Sequence, residues 1–139
     1  MGDSSLSNDS SFRIHHTMLP VADIERSIDF YTRFLGMKPM GRRRDDSRRV
    51  EVAHVGYGDR DTQPSLELTQ NIAENAPAEI GATGIHIALQ VNGIEVLCQR
   101  LAADGVEFIQ AVKATANNKR LTAWIRDPDR HAIEIIELR

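Results

Sequence analysis

Two segments of the chain carry apolar residues at the three- and four-residue spacing of an amphipathic helix. The apolar positions of the first segment are Ile24, Ile28, Tyr31 and Leu35. Asp23 can cap the start of this helix, and Gly36 can adopt the left-handed conformation that ends it. The sequence therefore predicts a helix between Asp23 and Gly36.

The second segment repeats this design about 70 residues later. Its apolar positions are Ile94, Leu97 and Leu101. Asn92 can serve as the cap, Glu95 completes a capping-box pattern, and Gly105 can end the helix. Because 13 residues separate cap from stop in both segments, we expect two helices of similar length.

Runs rich in apolar and β-branched residues surround both helices and predict β-strands. One such run precedes each helix, at 14–21 and 84–91. Three follow each helix, and they span 38–44, 48–57 and 65–70 in the first half and 107–112, 120–127 and 132–138 in the second. Each half therefore reads β-α-β-β-β. This order predicts an α+β fold, a single domain over 12–139 that is made of two tandem modules, 12–72 and 83–139.

A histidine on the first strand and a glutamate on the last strand recur in both halves. Glu67 follows His16 by 51 residues, and Glu134 follows His86 by 48 residues. Two-residue periodicity places His86 on the strand face that points away from the helix. In the first strand, periodicity alone does not choose between His15 and His16. The repeat favours His16, because its distance to the helix cap matches that of His86 better.

Each of these four side chains has an ordinary structural explanation when it is taken alone. A histidine in a strand is usually hydrogen-bonded or half-exposed, and a glutamate in an edge strand usually faces water. Together, two imidazoles and two carboxylates form a mixed nitrogen and oxygen donor set. Burying two carboxylates side by side without positive charge is costly, so we expect a divalent metal ion among them.

This donor set suits Zn, Ni, Co, Fe or Mn. A six-coordinate ion would keep two positions for water or substrate, and two neighbouring oxygens of a hydroxy-ketone or enediolate could occupy them. The ion would then act as a Lewis acid, with a ligand carboxylate close enough to move a proton.

Composition and charge narrow the possible partners. The net charge of -3 over 139 residues argues against nucleic acid or an anionic membrane as a partner. Aspartates interleave the arginine-rich run at 42–49, so we interpret it as a solvated turn. Cys98, the only cysteine, cannot form an internal disulfide and favours a reducing cytosol. The small polar residues of 1–11 predict a disordered tail rather than a signal peptide, and no apolar stretch is long enough to span a membrane.

Five stretches of the sequence resemble one known family. They are HTMLPVADIERSIDFYTRFLGM, VGYG, LELTQN, GIHIAL and DPDRHAIEIIE. Together they resemble the bacterial glyoxalase I (lactoylglutathione lyase) family of the vicinal oxygen chelate superfamily, over residues 14–138. The resemblance implies curved mixed sheets built from paired β-α-β-β-β modules. It also implies a homodimer whose metal sites lie between the two chains.

The resemblance further implies the roles of particular residues. The implied metal ligands are His16, Glu67, His86 and Glu134, with one histidine and one glutamate from each subunit at a site. Glu67 and Glu134 are the implied catalytic carboxylates; Glu134 matches the ligand that also serves as base, and Asn71 matches a residue that helps to bind glutathione. The implied ion is nickel or cobalt, although zinc serves other members. The implied reaction converts the hemithioacetal of methylglyoxal and glutathione to S-lactoylglutathione through a metal-bound enediolate.

Three features depart from the family pattern. Pro20 replaces an arginine that binds the glutamyl carboxylate of glutathione, and Arg130 replaces the glycine of a D-P-D-G turn. The loop that usually reads close to K-G-G-T-T is longer here, so neither Lys113 nor Lys119 is assigned to the glycyl end of glutathione.

Two alternatives stay open beside the glyoxalase I interpretation. One is a metalloenzyme of the same superfamily that acts on another substrate, such as a non-glutathione hemithioacetal, an epimerisable acid or a catechol. The other is a metal-free binding protein of the bleomycin-resistance type. The complete set of four ligand residues counts against the binding protein, and the second glutamate counts against a dioxygenase.

Overall fold

The computed structural model describes residues 11–73 and 85–139. The elements of the first module are β1 (His16–Val21), α1 (Ile24–Asp29, continued by a π-helical turn over Phe30–Phe34), β2 (Lys38–Asp45), β3 (Val50–Gly56) and β4 (Ser65–Asn71). The elements of the second module are β5 (His86–Gln90), α2 (Ile94–Ala103), β6 (Phe108–Ala114), β7 (Arg120–Arg126) and β8 (Ala132–Leu138). The predicted order β-α-β-β-β is therefore confirmed in both halves.

Each module folds into one four-stranded mixed sheet. The strand orders are β1-β4-β3-β2 and β5-β8-β7-β6. The first and last strands of each module pair in parallel, and the other neighbours pair antiparallel. This arrangement brings the histidine strand of each module beside its glutamate strand, which is the juxtaposition that the site requires.

The first helix begins and ends close to the predicted residues. The Asp23 carboxylate accepts a hydrogen bond from the backbone N–H of Arg26 at 3.1 Å, and Gly36 has a φ of +70°. The last part of the helix widens into a π-helical turn, which periodicity does not predict. Tyr31 lies in this turn, is fully buried and donates a hydrogen bond to Asp127 at 2.6 Å.

The predicted cap of the second helix, Asn92, is wrong. Gly93 occupies the capping position with a φ of +83°, and its missing side chain provides no acceptor. A carboxylate oxygen of Glu137 accepts hydrogen bonds from the backbone N–H groups of Gly93 and Ile94 instead, at 2.9 and 2.7 Å. Strand β8 therefore caps α2 with a charged acceptor, which suits the positive end of the helix dipole. Gly105 ends the helix with a φ of +84°, as predicted.

The helices cover one face of each sheet, and the buried apolar side chains of both modules form a continuous core. Asp129 of the second module joins them, because its carboxylate accepts hydrogen bonds from the Ala22 N–H at 2.9 Å and the Ser27 hydroxyl at 3.1 Å. His131 Nε2 lies 2.8 Å from the Pro20 carbonyl oxygen and adds a second link. We call the opposite face of each sheet its open face; it bears the predicted ligands.

Some predictions fall outside or at the margin of the described residues. The predicted tail, apart from Ser11, and the first two residues of the second module, 83–84, lie outside them. Cys98 is buried and free, as a core thiol would be. In the part of the chain that the structure describes, no helix is long and apolar enough to cross a membrane.

Candidate metal centre

His16 and Glu67 lie side by side on the open face of the first sheet. The Nε2 atom of His16 is 3.4 Å from the Oε2 atom of Glu67. The parallel register pairs Glu67 with Met18, which shares a strand face with His16. The side chain of His16 is 37% exposed and that of Glu67 is 11% exposed, so an ion could reach both from the open face.

The structure also distinguishes the two adjacent histidines. The Nδ1 atom of His15 lies 2.8 Å from the Nδ1 atom of His16, and the His15 carbonyl oxygen accepts a hydrogen bond from the Ser65 N–H. His15 therefore holds the back of the His16 ring, while the Nε2 atom of His16 faces the carboxylate. The repeat identified the histidine that lies beside Glu67.

His86 and Glu134 form the equivalent pair on the second sheet. The Nε2 atom of His86 is 3.6 Å from the Oε1 atom of Glu134. Glu134 pairs in register with Ala88, two residues after His86, just as Glu67 pairs with the residue two after His16. Here the histidine is 45% exposed and the glutamate is 18% exposed. The repeat seen in the sequence is thus a repeat of strand register.

The two pairs do not form one four-ligand cluster within the chain. Over residues 11–73 and 85–139, no group of three or more histidine, cysteine, aspartate or glutamate side chains is arranged to hold a metal ion. Each sheet offers one imidazole and one carboxylate, which is half of the expected set. We call His16 with Glu67 the first half-site and His86 with Glu134 the second half-site. Their donor chemistry fits a divalent ion of the borderline type only when two half-sites meet.

The side chain opposite each glutamate escaped the sequence analysis. On the antiparallel neighbour strand, His54 of β3 pairs in register with Glu67, and Trp124 of β7 pairs with Glu134. The Nε2 atom of His54 lies 3.4 Å from Oε2 of Glu67, and the Trp124 ring centroid lies 4.7 Å from that of His86. The predicted hairpin of the strands at 48–57 and 65–70 indicated that a residue of β3 lies opposite Glu67, but the register that selects His54 depends on where the connecting loop closes.

Burial and nearby charges disfavour protonation of the His54 imidazole. Burial lowers its pKa, the nearby Arg60 cation lowers it further, and the Glu67 carboxylate opposes the shift. Arg60 comes this close because Gly41, which pairs with His54, has no side chain: a Cβ there would lie 2.6 Å from Nη1 of Arg60. The first half-site thus has a guanidinium at its edge.

Three further residues bear on the predicted binding of a thiol substrate. Asn71 ends β4 on the same face as Glu67, and its side-chain oxygen accepts a hydrogen bond from the Ala73 N–H at 2.9 Å. Pro20 is exposed on the face that carries His16. Lys113 is exposed and pairs in register with Thr122. The structure therefore leaves these residues accessible, and Asn71 remains a predicted thiol-binding residue.

The turn and loop that depart from the family pattern have unusual backbone conformations. Arg130 has a φ of +70°, the left-handed conformation that glycine adopts without a Cβ penalty, as its position in the turn predicted. In the loop between β6 and β7, Asn118 has a φ of +59°. Asparagine tolerates this region better than most residues, so the longer loop closes without glycine.

The chain matches one family model and several known proteins. The model describes the Glyoxalase/Bleomycin resistance protein/Dioxygenase superfamily and matches residues 13–135. Lactoylglutathione lyase of Escherichia coli O157:H7 is 35% identical over 125 residues, which cover 90% of this chain and 92% of that protein.

Solved structures agree with this match. Glyoxalase I from Zea mays superposes with a TM-score of 0.79 at 25% identity over 91% of this chain and 47% of that one, so the present chain spans about half of the maize protein. The trypanothione-dependent glyoxalase I of Leishmania major superposes with a TM-score of 0.72 at 29% identity, over 91% of this chain and 87% of that one. The chain therefore belongs to the Glyoxalase/Bleomycin resistance protein/Dioxygenase superfamily.

Proposed function

We propose that the protein is a glyoxalase I-type lyase whose metal sites form between two copies of the chain. The observation that carries this proposal is the pair of half-sites, which share one strand register and are each incomplete alone. In the proposed dimer, His16 and Glu67 of one copy face His86 and Glu134 of the other. The names of the relatives support the lyase class, and the family implies a divalent metal.

The four residues would hold nickel or cobalt, with zinc as a further possibility, because imidazole and carboxylate ligands suit all three ions. When bound, the ion would supply Lewis-acid polarisation of the two adjacent substrate oxygens. The half-exposed histidines would orient it from the open faces. The more exposed carboxylate, Glu134, has room to move during proton transfer.

The proposed reaction isomerises the hemithioacetal of methylglyoxal and a thiol, for which we propose glutathione. Glu134 removes the proton from the carbon that bears the sulfur and returns it to the neighbouring carbon. The hydroxyl proton of the first carbon passes to the oxygen of the second. The first carbon then becomes the carbonyl of a thioester, and the second becomes an alcohol, so no external oxidant is needed. Glu67 would stay in place as a ligand throughout.

Turnover with defined metals tests the activity. Protein stripped of metal and reloaded with nickel, cobalt or zinc should form S-lactoylglutathione from methylglyoxal and glutathione with at least one ion. His86→Ala protein should bind less metal than the expected one ion per chain and lose activity. Unchanged metal content and activity in that variant would contradict the ligand assignment.

Mixed dimers test the shared sites. His16→Ala and His86→Ala chains should each be inactive alone. A heterodimer of the two would have one site with both defects and one intact site, so a mixture should regain activity. No recovery in a mixture that is shown to contain heterodimers would contradict sites between chains.

The identity of the thiol decides between two candidate functions. Pro20 has no donor where the resemblance expects an arginine, which favours another superfamily substrate as the second candidate function. Metal binding without turnover of the glutathione hemithioacetal would select this second candidate. The buried free thiol of Cys98 supports a reducing cytosol as the location, which cell fractionation would test.

A further inference from the structure

The two half-sites differ at one equivalent position. Opposite Glu67 the neighbouring strand presents an imidazole, His54, whereas opposite Glu134 it presents an indole, Trp124. The ring of His54 is almost fully buried, at 3% exposure, and it packs edge-to-face against His16 with centroids 5.5 Å apart. A buried histidine needs hydrogen-bond partners for both ring nitrogens.

Both nitrogens of His54 face polar atoms of β4. The Nδ1 atom lies 2.7 Å from the hydroxyl oxygen of Ser65, and the Nε2 atom lies 3.4 Å from Oε2 of Glu67. A carboxylate can only accept, so the tautomer that avoids facing lone pairs carries its proton on Nε2. Ser65 then donates its hydroxyl proton to Nδ1, and this short contact fixes the ring.

Two imidazoles contact the same carboxylate oxygen of Glu67, since the Nε2 atoms of His16 and His54 each lie 3.4 Å from Oε2. The Thr69 hydroxyl reaches its other oxygen, Oε1, at 3.5 Å, which is at the limit of a hydrogen bond. Because His16 is itself a proposed ligand, the buried His54 imidazole is the neighbour that can restrain Oε2 without binding the ion.

We propose that His54, fixed by Ser65, is a positioning residue that holds the Glu67 carboxylate in place as a metal ligand. This inference rests on the proposed function, because it takes Glu67 to be a ligand. In the described part of the chain, Glu134 has no such donor on its neighbouring strand, since Trp124 turns its ring to His86. One carboxylate of each site is thus held, and the other is left free to move.

Metal affinity measures this role without relying on turnover. Removing a group that orients a metal ligand weakens metal binding by about 10- to 100-fold. We expect this loss for His54→Phe, measured by titration of the metal-free protein with nickel or cobalt. His54→Gln, whose amide N–H can replace the Nε2 donor, should recover most of the affinity. A purely structural role would not distinguish these two variants.

Trp124→Phe is the matched control, because it lies at the equivalent position of the second half-site and keeps an aromatic ring beside His86. It should weaken metal binding by less than about tenfold. If His54→Phe does not fold by circular dichroism, Ser65→Ala keeps the ring and removes only its hydroxyl partner, and it should still weaken binding measurably. Wild-type affinity in either folded variant, His54→Phe or Ser65→Ala, would overturn the proposal.

Two more measurements separate this inference from its premise. The visible spectrum of cobalt-loaded His54→Phe protein at saturating metal should match that of the wild type, because a positioning residue is not a ligand. A changed ligand field would make His54 a ligand and overturn the proposal. Glu67→Gln should also weaken binding; if it does and His54→Phe does not, only the role of His54 fails. If Glu67→Gln binds like the wild type, the proposed site itself fails.

Discussion

Glu67 and Glu134 occupy the same place in two copies of one strand pattern, yet their surroundings differ. Glu67 lies between two imidazoles, His16 and His54, each with an Nε2 atom 3.4 Å from the same carboxylate oxygen. Glu134 has one imidazole neighbour, His86, at 3.6 Å, and a larger exposed fraction, 18% against 11%. Repetition of the backbone thus places two histidine–glutamate pairs in equivalent positions, and the side chains around the two pairs differ.

This difference matters because a metal ligand and a base have opposite requirements. A ligand binds best when its orientation is fixed before the ion arrives. A base must reach a carbon-bound proton, move with it and release it. The restrained carboxylate of the first half-site suits the first task, and the freer carboxylate of the second half-site suits the other. If the proposed function holds, the different surroundings suit two different roles for residues that the repeat makes equivalent.

The largest effect should come from exchanging each carboxylate for its amide. Glu134→Gln removes the proposed base, and general acid–base catalysis typically contributes about 10²- to 10⁴-fold, so kcat should fall by that factor at saturating metal. Glu67→Gln should instead act mainly on the metal affinity, because a neutral amide is a poorer ligand. Steady-state kinetics and metal titration of both variants measure the two losses separately.

The proposed difference between Glu67 and Glu134 is contradicted if the two variants behave alike. Equal losses of kcat at saturating metal would mean that both carboxylates move protons, and the different neighbours would then have no catalytic consequence. A larger loss of kcat in Glu67→Gln than in Glu134→Gln would reverse the assignment. Circular dichroism of each variant provides the control for folding.

The sequence predicted most of what depends on periodicity. Alternation gave the strands, helical spacing gave the helices, and the repeat selected His16 over His15. It did not predict the capping of α2, because the acceptor is Glu137, which the fold brings from the last strand. It also missed His54, since the register between two strands depends on where their connecting loop closes.

Periodicity could not predict the arrangement of the half-sites either, but for a different reason. Alternation tells which face of a strand a residue occupies, and that is a property of one sheet. Whether two sheets face one another depends on the contacts between modules. Here those contacts include a buried carboxylate, Asp129, and its donors on α1 and the β1–α1 turn. Carboxylates in a D-P-D turn do not reveal from sequence which distant N–H groups they accept from.

A substitution at the contact between the two modules should change the stability of the chain and leave both half-sites unchanged. The Tyr31 hydroxyl of the first module donates a hydrogen bond to Asp127 of the second module at 2.6 Å. Tyr31→Phe leaves a buried acceptor without its donor, so the free energy of unfolding should fall by about 1–3 kcal/mol. The metal affinity should not change, because Tyr31 touches neither half-site. Urea unfolding at fixed protein concentration, with a parallel metal titration, measures both quantities.

The stability that Tyr31 provides should also depend on pH. Burial and the Asp127 charge raise the pKa of Tyr31 far above its usual value. The folded state therefore keeps the phenol proton while the unfolded state loses it above about pH 10, so the stability that Tyr31 provides falls as the pH rises. The difference in stability between wild type and Tyr31→Phe should narrow above that pH. A constant difference would show that the phenol is not shielded.

The smallest effect concerns the fourth residue after each histidine. This position is Pro20 in the first module and Gln90 in the second, and both are exposed on the open face. Pro20→Arg would supply a charge-assisted donor for a thiol carboxylate, a contact worth about 1.5–3 kcal/mol and less where water reaches it. We expect KM for the glutathione hemithioacetal to fall about tenfold, with little change in kcat because the contact is remote from the proton transfer. The Pro20 carbonyl oxygen, which faces His131, is kept in the variant.

Pro20→Gln, which copies the second module, is the matched control, since it adds a donor without charge and should lower KM less. If wild-type protein already has a KM in the low micromolar range, or Pro20→Arg changes nothing, another group binds the carboxylate. Arg60 is the cation in place for this on the first open face, where it lies over Gly41 and takes part in no ion pair among residues 11–73 and 85–139. Arg60→Gln should then raise KM, and the same substitution in Pro20→Arg protein should raise it less. If neither the wild type nor Pro20→Arg turns over the hemithioacetal although metal is bound, glutathione is the wrong thiol. The comparison of Pro20 with Gln90 then has to be repeated with another substrate.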